Sequence, residues 1–253
     1  LLRLEGICKN FGAVRALEGV SFAIHAGEAV ALLGDNGAGK STLVKIISGS
    51  MEPDAGRMYF AGRPVRLRSP AQAKGLGIET VYQDLSLCPN VDVVANFFMG
   101  RELQKKILGI PLLDEGRMQS HTEQALADLG AAIGSVRTRI EHLSGGQRQA
   151  IELCRFVHWG GRLALLDEPF AALGLEQTRR GLELINRVKA QGVAVLVITH
   201  NLLHAFRVAD RAVVLRQGRL AGVRGLGETS PEELAALITG DSLQKKETET
   251  REL

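Results

Sequence analysis

Residues Gly34-Asp35-Asn36-Gly37-Ala38-Gly39-Lys40-Ser41 fit the pattern G-x-x-x-x-G-K-[ST]. That pattern shapes backbone N–H groups around a phosphate chain. Its flanks make it a constraint on the fold. Ahead of it runs Ala29-Val30-Ala31-Leu32-Leu33, an apolar run of strand length. Behind it, Ser41 to Ile47 place apolar residues at helical spacing. Strand, glycine-rich loop, helix is the context the motif requires. Further strands are expected from Leu163, Val193 and Ala212, alternating with helical segments. That alternation predicts an α/β fold built on a mainly parallel sheet.

The chemistry follows from the residue types. Gly34, Gly37 and Gly39 let the backbone turn tightly and aim its N–H groups inward. A helix starting near Lys40 adds its positive end. Lys40 is expected to reach the outer two phosphates, and the Ser41 hydroxyl to bind Mg²⁺. A glycine loop that merely turned a strand into a helix would need neither side chain. Leu163-Ala164-Leu165-Leu166-Asp167-Glu168 reads as a buried parallel strand ending in two carboxylates. Ligands sit at the carboxyl ends of such strands. Asp167 is expected to hold Mg²⁺, directly or through water. Glu168 is expected to orient or deprotonate an attacking water. Consecutive strand residues point to opposite faces, so the two carboxylates are expected to diverge along the pleat.

A second motif, Leu143-Ser144-Gly145-Gly146-Gln147, follows about a hundred residues on. The first pattern arises by chance in roughly one chain in a hundred of this length, and the second is rarer by about a factor of thirty. With both present in this order, the chain resembles the ATP-binding cassette (ABC) transporter ATPases over residues 2–240. The resemblance implies a P-loop NTPase core, an N-terminal antiparallel β subdomain and an inserted α-helical subdomain. It implies ATP and Mg²⁺ as ligands. Phe11 resembles the aromatic that stacks on adenine. Asp35, Asn36, Ala38 and Thr42 complete the loop around the phosphates. Gln83 resembles the glutamine that links the metal site to the helical subdomain. His200 resembles the switch histidine at the γ-phosphate. Ser144, Gly145, Gly146 and Gln147 resemble the signature that closes over ATP held by a partner chain.

A homodimer of ATPase subunits is therefore implied, with separate transmembrane permease subunits and, indirectly, a solute-binding protein. The place implied is the cytoplasmic face of the inner membrane. Within the family the likeness is greatest to single-cassette importers of monosaccharides. Three stretches carry it: residues 68–83, residues 96–102, and residues 230–240. Tyr82 and Phe97-Phe98 are either permease contacts or ordinary core. Two positions depart from the family pattern. Phe170 stands where Thr is usual, and Gly174 stands where an interface-crossing Asp is usual. The rival readings are an importer of another solute class, a regulatory nucleotide-binding module, and an ABC ATPase acting on nucleic acid.

Composition narrows those rivals. The chain has 31 basic and 28 acidic residues, a net +3. That balance leaves no basic stripe for a nucleic acid, which is not expected as a partner. No apolar run reaches the length of a membrane span. No leader is read at the start, and the lack of Met at position 1 creates the expectation that residues precede Leu1. Cys8, Cys88 and Cys154 show no metal spacing and fit reduced thiols. His200 and His204 lie four apart, but no third ligand is spaced with them; His204 is expected to be solvated. Residues 1–240 are expected to form one ATPase domain, with the helical subdomain at about 84–156. Antiparallel strands are expected over residues 2–31 and 57–67. Ser230-Pro231-Glu232-Glu233 reads as a helix start. The charged tail 241–253 is expected to be disordered.

Overall fold

The computed structural model describes residues 1–81, 87–107, 110–170 and 174–240. A hairpin of β1 (Leu2–Phe11) and β2 (Val14–Ile24) leads into β3 (Ala29–Leu33), the glycine loop and α1 (Lys40–Ile47). Strands β4 (Ala55–Phe60) and β5 (Arg63–Val65) return to the first hairpin, and α2 (Pro70–Gly75) leads to β6 (Ile78–Val81). A mostly helical region follows: α3 (Val93–Phe98), β7 (Gln104–Ile107), β8 (Ile110–Leu113), α4 (Glu115–Asp128) and α5 (Gly145–His158). The chain then alternates through β9 (Leu163–Asp167), α6 (Leu175–Ala190), β10 (Ala194–Ile198), α7 (Leu202–Val208) and β11 (Arg211–Arg216). It finishes with β12 (Arg219–Gly225) and α8 (Pro231–Thr239).

The central sheet has the order β12-β11-β3-β10-β9-β6. Its pairs are parallel except for β11 with β12. Both faces are covered, which is why β3, β9 and β10 read as unbroken apolar runs. Val30, Leu32, Leu165 and Leu196 pack towards α1 and the antiparallel sheet β2-β1-β4-β5. Ala164, Leu166, Val195 and Val197 pack towards α5, α6 and the helical region.

The end of the sheet away from the glycine loop is pinned by charge. Glu28 receives two hydrogen bonds from the Arg211 guanidinium, at 2.5 and 3.1 Å. Burial pushes its carboxyl up, but the hydrogen bonds from Arg211 and the His25 N–H outweigh this and hold it below its ordinary value. Next to it, Asp210 accepts from the Ala29 N–H and from Lys189. This bracing fixes where β3 and β11 start, and hence where they end.

Several expectations need correcting. The first antiparallel hairpin stops at Ile24, and Ala29–Leu33 belongs to the parallel sheet. The helical region contains the β7–β8 hairpin, which helical periodicity does not announce. Phe97 and Phe98 are buried core, with the Trp159 indole N–H donating to the Phe97 carbonyl at 3.1 Å. Ser230 does cap α8, its hydroxyl accepting from the Glu233 N–H at 3.2 Å. The Glu233 carboxylate, however, turns to Arg224 and Thr229 rather than back to the cap. Tyr82, Gln83 and the tail 241–253 lie outside the described residues.

Candidate functional site

Strand order assembles the site. β10 lies between β3 and β9, with Ile198 in register with Leu32 on one side and Asp167 on the other. All three run parallel, so the residues after Leu33, Ile198 and Asp167 emerge side by side. The glycine loop, His200 and Glu168 therefore meet at one edge, at the carboxyl ends where α/β sheets hold ligands.

The loop depends on glycine at two points. Gly34 has φ 146° and Gly39 has φ 102°, both in the left-handed half of the map. A Cβ on Gly34 would overlap the Leu215 carbonyl, and one on Gly39 would fall 2.6 Å from the Ala16 carbonyl. The loop is thus gripped from outside by β2 and by the end of β11. Inside it, the Ala38 N–H donates to the Asp35 carbonyl at 3.1 Å. No side chain caps α1, so the first N–H groups of the helix keep their capacity to bind an anion. Lys40 arches back over the loop, its Nζ donating to the carbonyls of Gly34 (2.5 Å) and Asp35 (3.0 Å). Phe11 ends β1 and is 48% exposed, so it is not core. It sits on the hairpin whose second strand carries Ala16 to Gly39.

The acidic side differs from the pleat argument. β9 ends at Asp167, and Glu168 takes φ 47°. The two carboxylates separate because the backbone turns left-handed at Glu168, not because a strand alternates. That conformation costs a non-glycine residue about 1–2 kcal/mol. It is held by the Glu168 N–H donating to the Ile198 carbonyl at 2.9 Å. Glu168 Oε1 accepts from the His200 N–H at 3.1 Å and lies 2.8 Å from His200 Nδ1. The His200 ring is otherwise open, with its side chain 76% exposed.

Burial, and next the Glu168 charge, push the Asp167 carboxyl above its ordinary value, while Lys40 pulls it down. A carboxyl whose pKa is raised by folding favours the fold below the ordinary carboxylate range. That contribution is lost as pH rises through the raised value, so at neutral pH Asp167 is a net cost. Asp167→Asn is therefore expected to raise the melting temperature of the nucleotide-free protein at pH 7 by about 1–2 °C, a small effect because the group is half exposed. The gain should shrink towards pH 4. Thermal melts across pH test this; a fall in melting temperature at pH 7 would count against it.

Sequence reasoning missed Asn201. Its side chain accepts from the N–H groups of Leu203 and His204, capping α7, and its own N–H donates to Thr199 Oγ1 at 3.1 Å. An Asn just before an apolar-periodic run is the signal that could have found it. His204, expected in solvent, is partly covered, its ring edge-on to Phe170 at 5.2 Å.

The second motif forms the start of α5. Ser144 and Gln147 make a reciprocal capping box, at 3.0 and 3.3 Å. Gly145 and Gly146 open the helix, and Gln147 Nε2 also donates to the Ala132 carbonyl. The motif therefore belongs to the helical region, while the glycine loop belongs to the sheet. Gly174 is the N-cap of α6, with no side-chain cap and open space around its Cα.

The residues present fit a nucleoside triphosphate and a divalent cation. The loop is a cradle that Cβ atoms on Gly34 and Gly39 would fill, and Asp167 is a carboxylate crowded by a second one.

Comparison with known proteins agrees. The family model described as ABC transporter matches residues 17–171. The xylose/arabinose import ATP-binding protein XylG of Sulfolobus acidocaldarius is 44% identical over 245 residues, covering 97% of this chain and 96% of that protein. The fructose import ATP-binding protein FrcA of Rhizobium meliloti is 40% identical, covering 95% and 94%. The ribose import ATP-binding protein RbsA 1 of Rubrobacter xylanophilus is 39% identical, and the chain spans about half its length, 48%. Among solved structures, the ATP-binding cassette MJ1267 superposes with a TM-score of 0.79 at 27% identity, covering 94% of this chain and 98% of that one.

Proposed function

The chain belongs to the ABC transporter family as one of its ATP-hydrolysing cassettes, and from that premise we propose that it drives import of a monosaccharide through separate membrane subunits. The observation that supports the hydrolytic half is the Glu168–His200 contact beside a braced phosphate loop. The relatives named for xylose/arabinose, fructose and ribose import support the sugar.

In this reading Phe11 stacks on adenine, and residues 34–42 wrap the phosphates with backbone N–H groups and the α1 N-terminus. Lys40 trades its bonds to the Gly34 and Asp35 carbonyls for phosphate oxygens. Ser41 and Asp167 hold Mg²⁺, a hard cation suited to hydroxyl and carboxylate oxygens, with Gln83 as a further contact. Held there, Mg²⁺ would supply positive charge against the phosphates. Glu168 orients the attacking water and takes its proton. His200 holds Glu168 in place through its backbone N–H while its exposed ring reaches the γ-phosphate.

Two further parts come from other chains. Ser144, Gly145, Gly146 and Gln147 sit on the helical region and close over ATP bound by a second copy. No helix among the described residues is long and apolar enough to cross a membrane, so the path for solute lies in a permease. A groove of about 270 Å³ between β6 and the helical region, lined by Glu79, Phe97, Met99, Arg101 and Trp159, can receive side chains of a permease segment. This seats the chain peripherally on the cytoplasmic face, with a solute-binding protein delivering sugar from the other side.

The test is reconstitution with the permease and binding protein encoded beside this chain's gene. ATP-dependent uptake of a pentose or hexose, and stimulation of ATP turnover by the loaded binding protein, are expected. Light scattering should also show a larger dimer fraction with ATP when hydrolysis is blocked. Sugar-independent turnover with no uptake would refute the sugar assignment; no ATP-dependent association, alone or with permease, would refute the shared site.

A further inference from the structure

Glu168 holds a left-handed backbone and has to be aimed. Its bonds to Ile198 and His200 reach it from β10 and the start of the switch segment. A second connection reaches the same place from the other direction, through Phe170. This residue follows Glu168 by two and is 5% exposed. Its ring meets the His204 ring edge-on, with centroids 5.2 Å apart and planes at 80°. Such pairs add about 0.5–1.5 kcal/mol beyond the area they bury.

The fit around Phe170 is close on its other side. Gly181 lies in the middle of α6, where glycine costs about 1 kcal/mol relative to alanine. A Cβ on Gly181 would stand 2.8 Å from Phe170 Cε1. The helix thus gives up a methyl group where the phenyl ring needs its room. A Thr at position 170 would reach neither α6 nor His204 in this way.

Five links then form a closed ring. Glu168 runs to Phe170 along the chain. Phe170 touches His204. His204 is tied to Asn201, whose carboxamide oxygen accepts its N–H at 3.3 Å and whose Nδ2 lies 3.4 Å from its Nε2. Asn201 follows His200, which bonds back to Glu168 at 2.8 and 3.1 Å. We propose that Phe170 and His204 are a pair of positioning residues, a strut between the loop after β9 and helix α7 that sets the aim of Glu168 relative to His200. Neither residue is among those assigned to phosphate or metal, so the strut is expected to govern turnover and not nucleotide affinity. It rests on the reading of Glu168 as the catalytic base.

The groups facing His204 fit a ring that stays neutral. Burial first, then Arg207 and His200, lower its pKa, and only Glu168 opposes them. A neutral edge against a phenyl ring can be replaced by another phenyl, which gives the test its control.

The experiment measures kcat, KM and ATP affinity for Phe170→Ala, His204→Ala, the double variant and His204→Phe, each in the assembled transporter. Melting curves accompany them, and Phe170→Leu stands in if Phe170→Ala does not fold. Each alanine variant is expected to lose about tenfold or more in kcat, since small misplacements of a reacting group are costly. ATP affinity should stay within about twofold of wild type by the uniform-binding criterion. The double variant should lose no more than either single one, and His204→Phe should recover most of the turnover. Additive losses, unchanged kcat in folded variants, or a parallel fall in ATP affinity would overturn the strut. Glu168→Gln separates the two ideas. If it retains turnover, the catalytic reading fails; if it loses turnover while the alanine variants do not, only the strut fails.

Discussion

Lys40→Ala is expected to abolish most ATP binding and most hydrolysis. The ammonium makes two hydrogen bonds to the loop carbonyls of Gly34 and Asp35 and is placed to exchange them for phosphate oxygens. Hydrogen bonds to charged groups contribute about 1.5–3 kcal/mol each. Two lost bonds to phosphate correspond to a fall in affinity on the order of 10²–10⁴-fold. Lys40→Arg should not restore function, because a planar fork cannot occupy the place of a compact ammonium. Calorimetric titration with ATP, phosphate release and a melting curve decide the matter. A folded Lys40→Ala protein that hydrolyses ATP at near the wild-type rate would remove Lys40 from the site.

What the sequence makes legible here depends on how local the cause is. The glycine loop is readable because its strand, turn and helix are adjacent and its residue types have one use. The ends of β9 and β10 are readable as apolar runs, since a strand covered on both faces needs no alternation. Asn201 was readable as a cap and was overlooked. The left-handed turn at Glu168 was not readable, because no glycine marks it and its support, the Ile198 carbonyl, lies thirty residues on. The β7–β8 hairpin escaped because the side chains of residues 110–113 are all exposed and carry no buried alternation. The role of Phe170 depends on Gly181 and His204, each of which has a plain local reading. Only the fold places the three together.

Glu168→Gln is expected to cut hydrolysis by about 10²–10⁴-fold, the usual contribution of a general base. The substitution is well matched to the site. Glutamine keeps an acceptor for the His200 N–H, and its backbone meets the same φ of 47° with no greater strain than glutamate. The contact with His200 Nδ1 also survives when that nitrogen is protonated, since the one carboxamide oxygen can accept from both His200 nitrogens. What is lost is the ability to take a proton from water. Lys40, Ser41 and Asp167 are untouched, so ATP affinity should stay close to wild type. In the proposed cycle closure of the dimer precedes the chemistry, so the closed, ATP-bound form should accumulate. Turnover, ATP affinity and dimer fraction measured together separate the alternatives. Retained turnover would mean that His200, whose ring is open on the same edge, activates the water instead. Lost ATP binding would move Glu168 into the metal site beside Asp167. Lost turnover with bound ATP and an accumulated dimer leaves the carboxylate at 168 as the proton acceptor, aimed by the His200 bond on one side and by the chain running to Phe170 on the other.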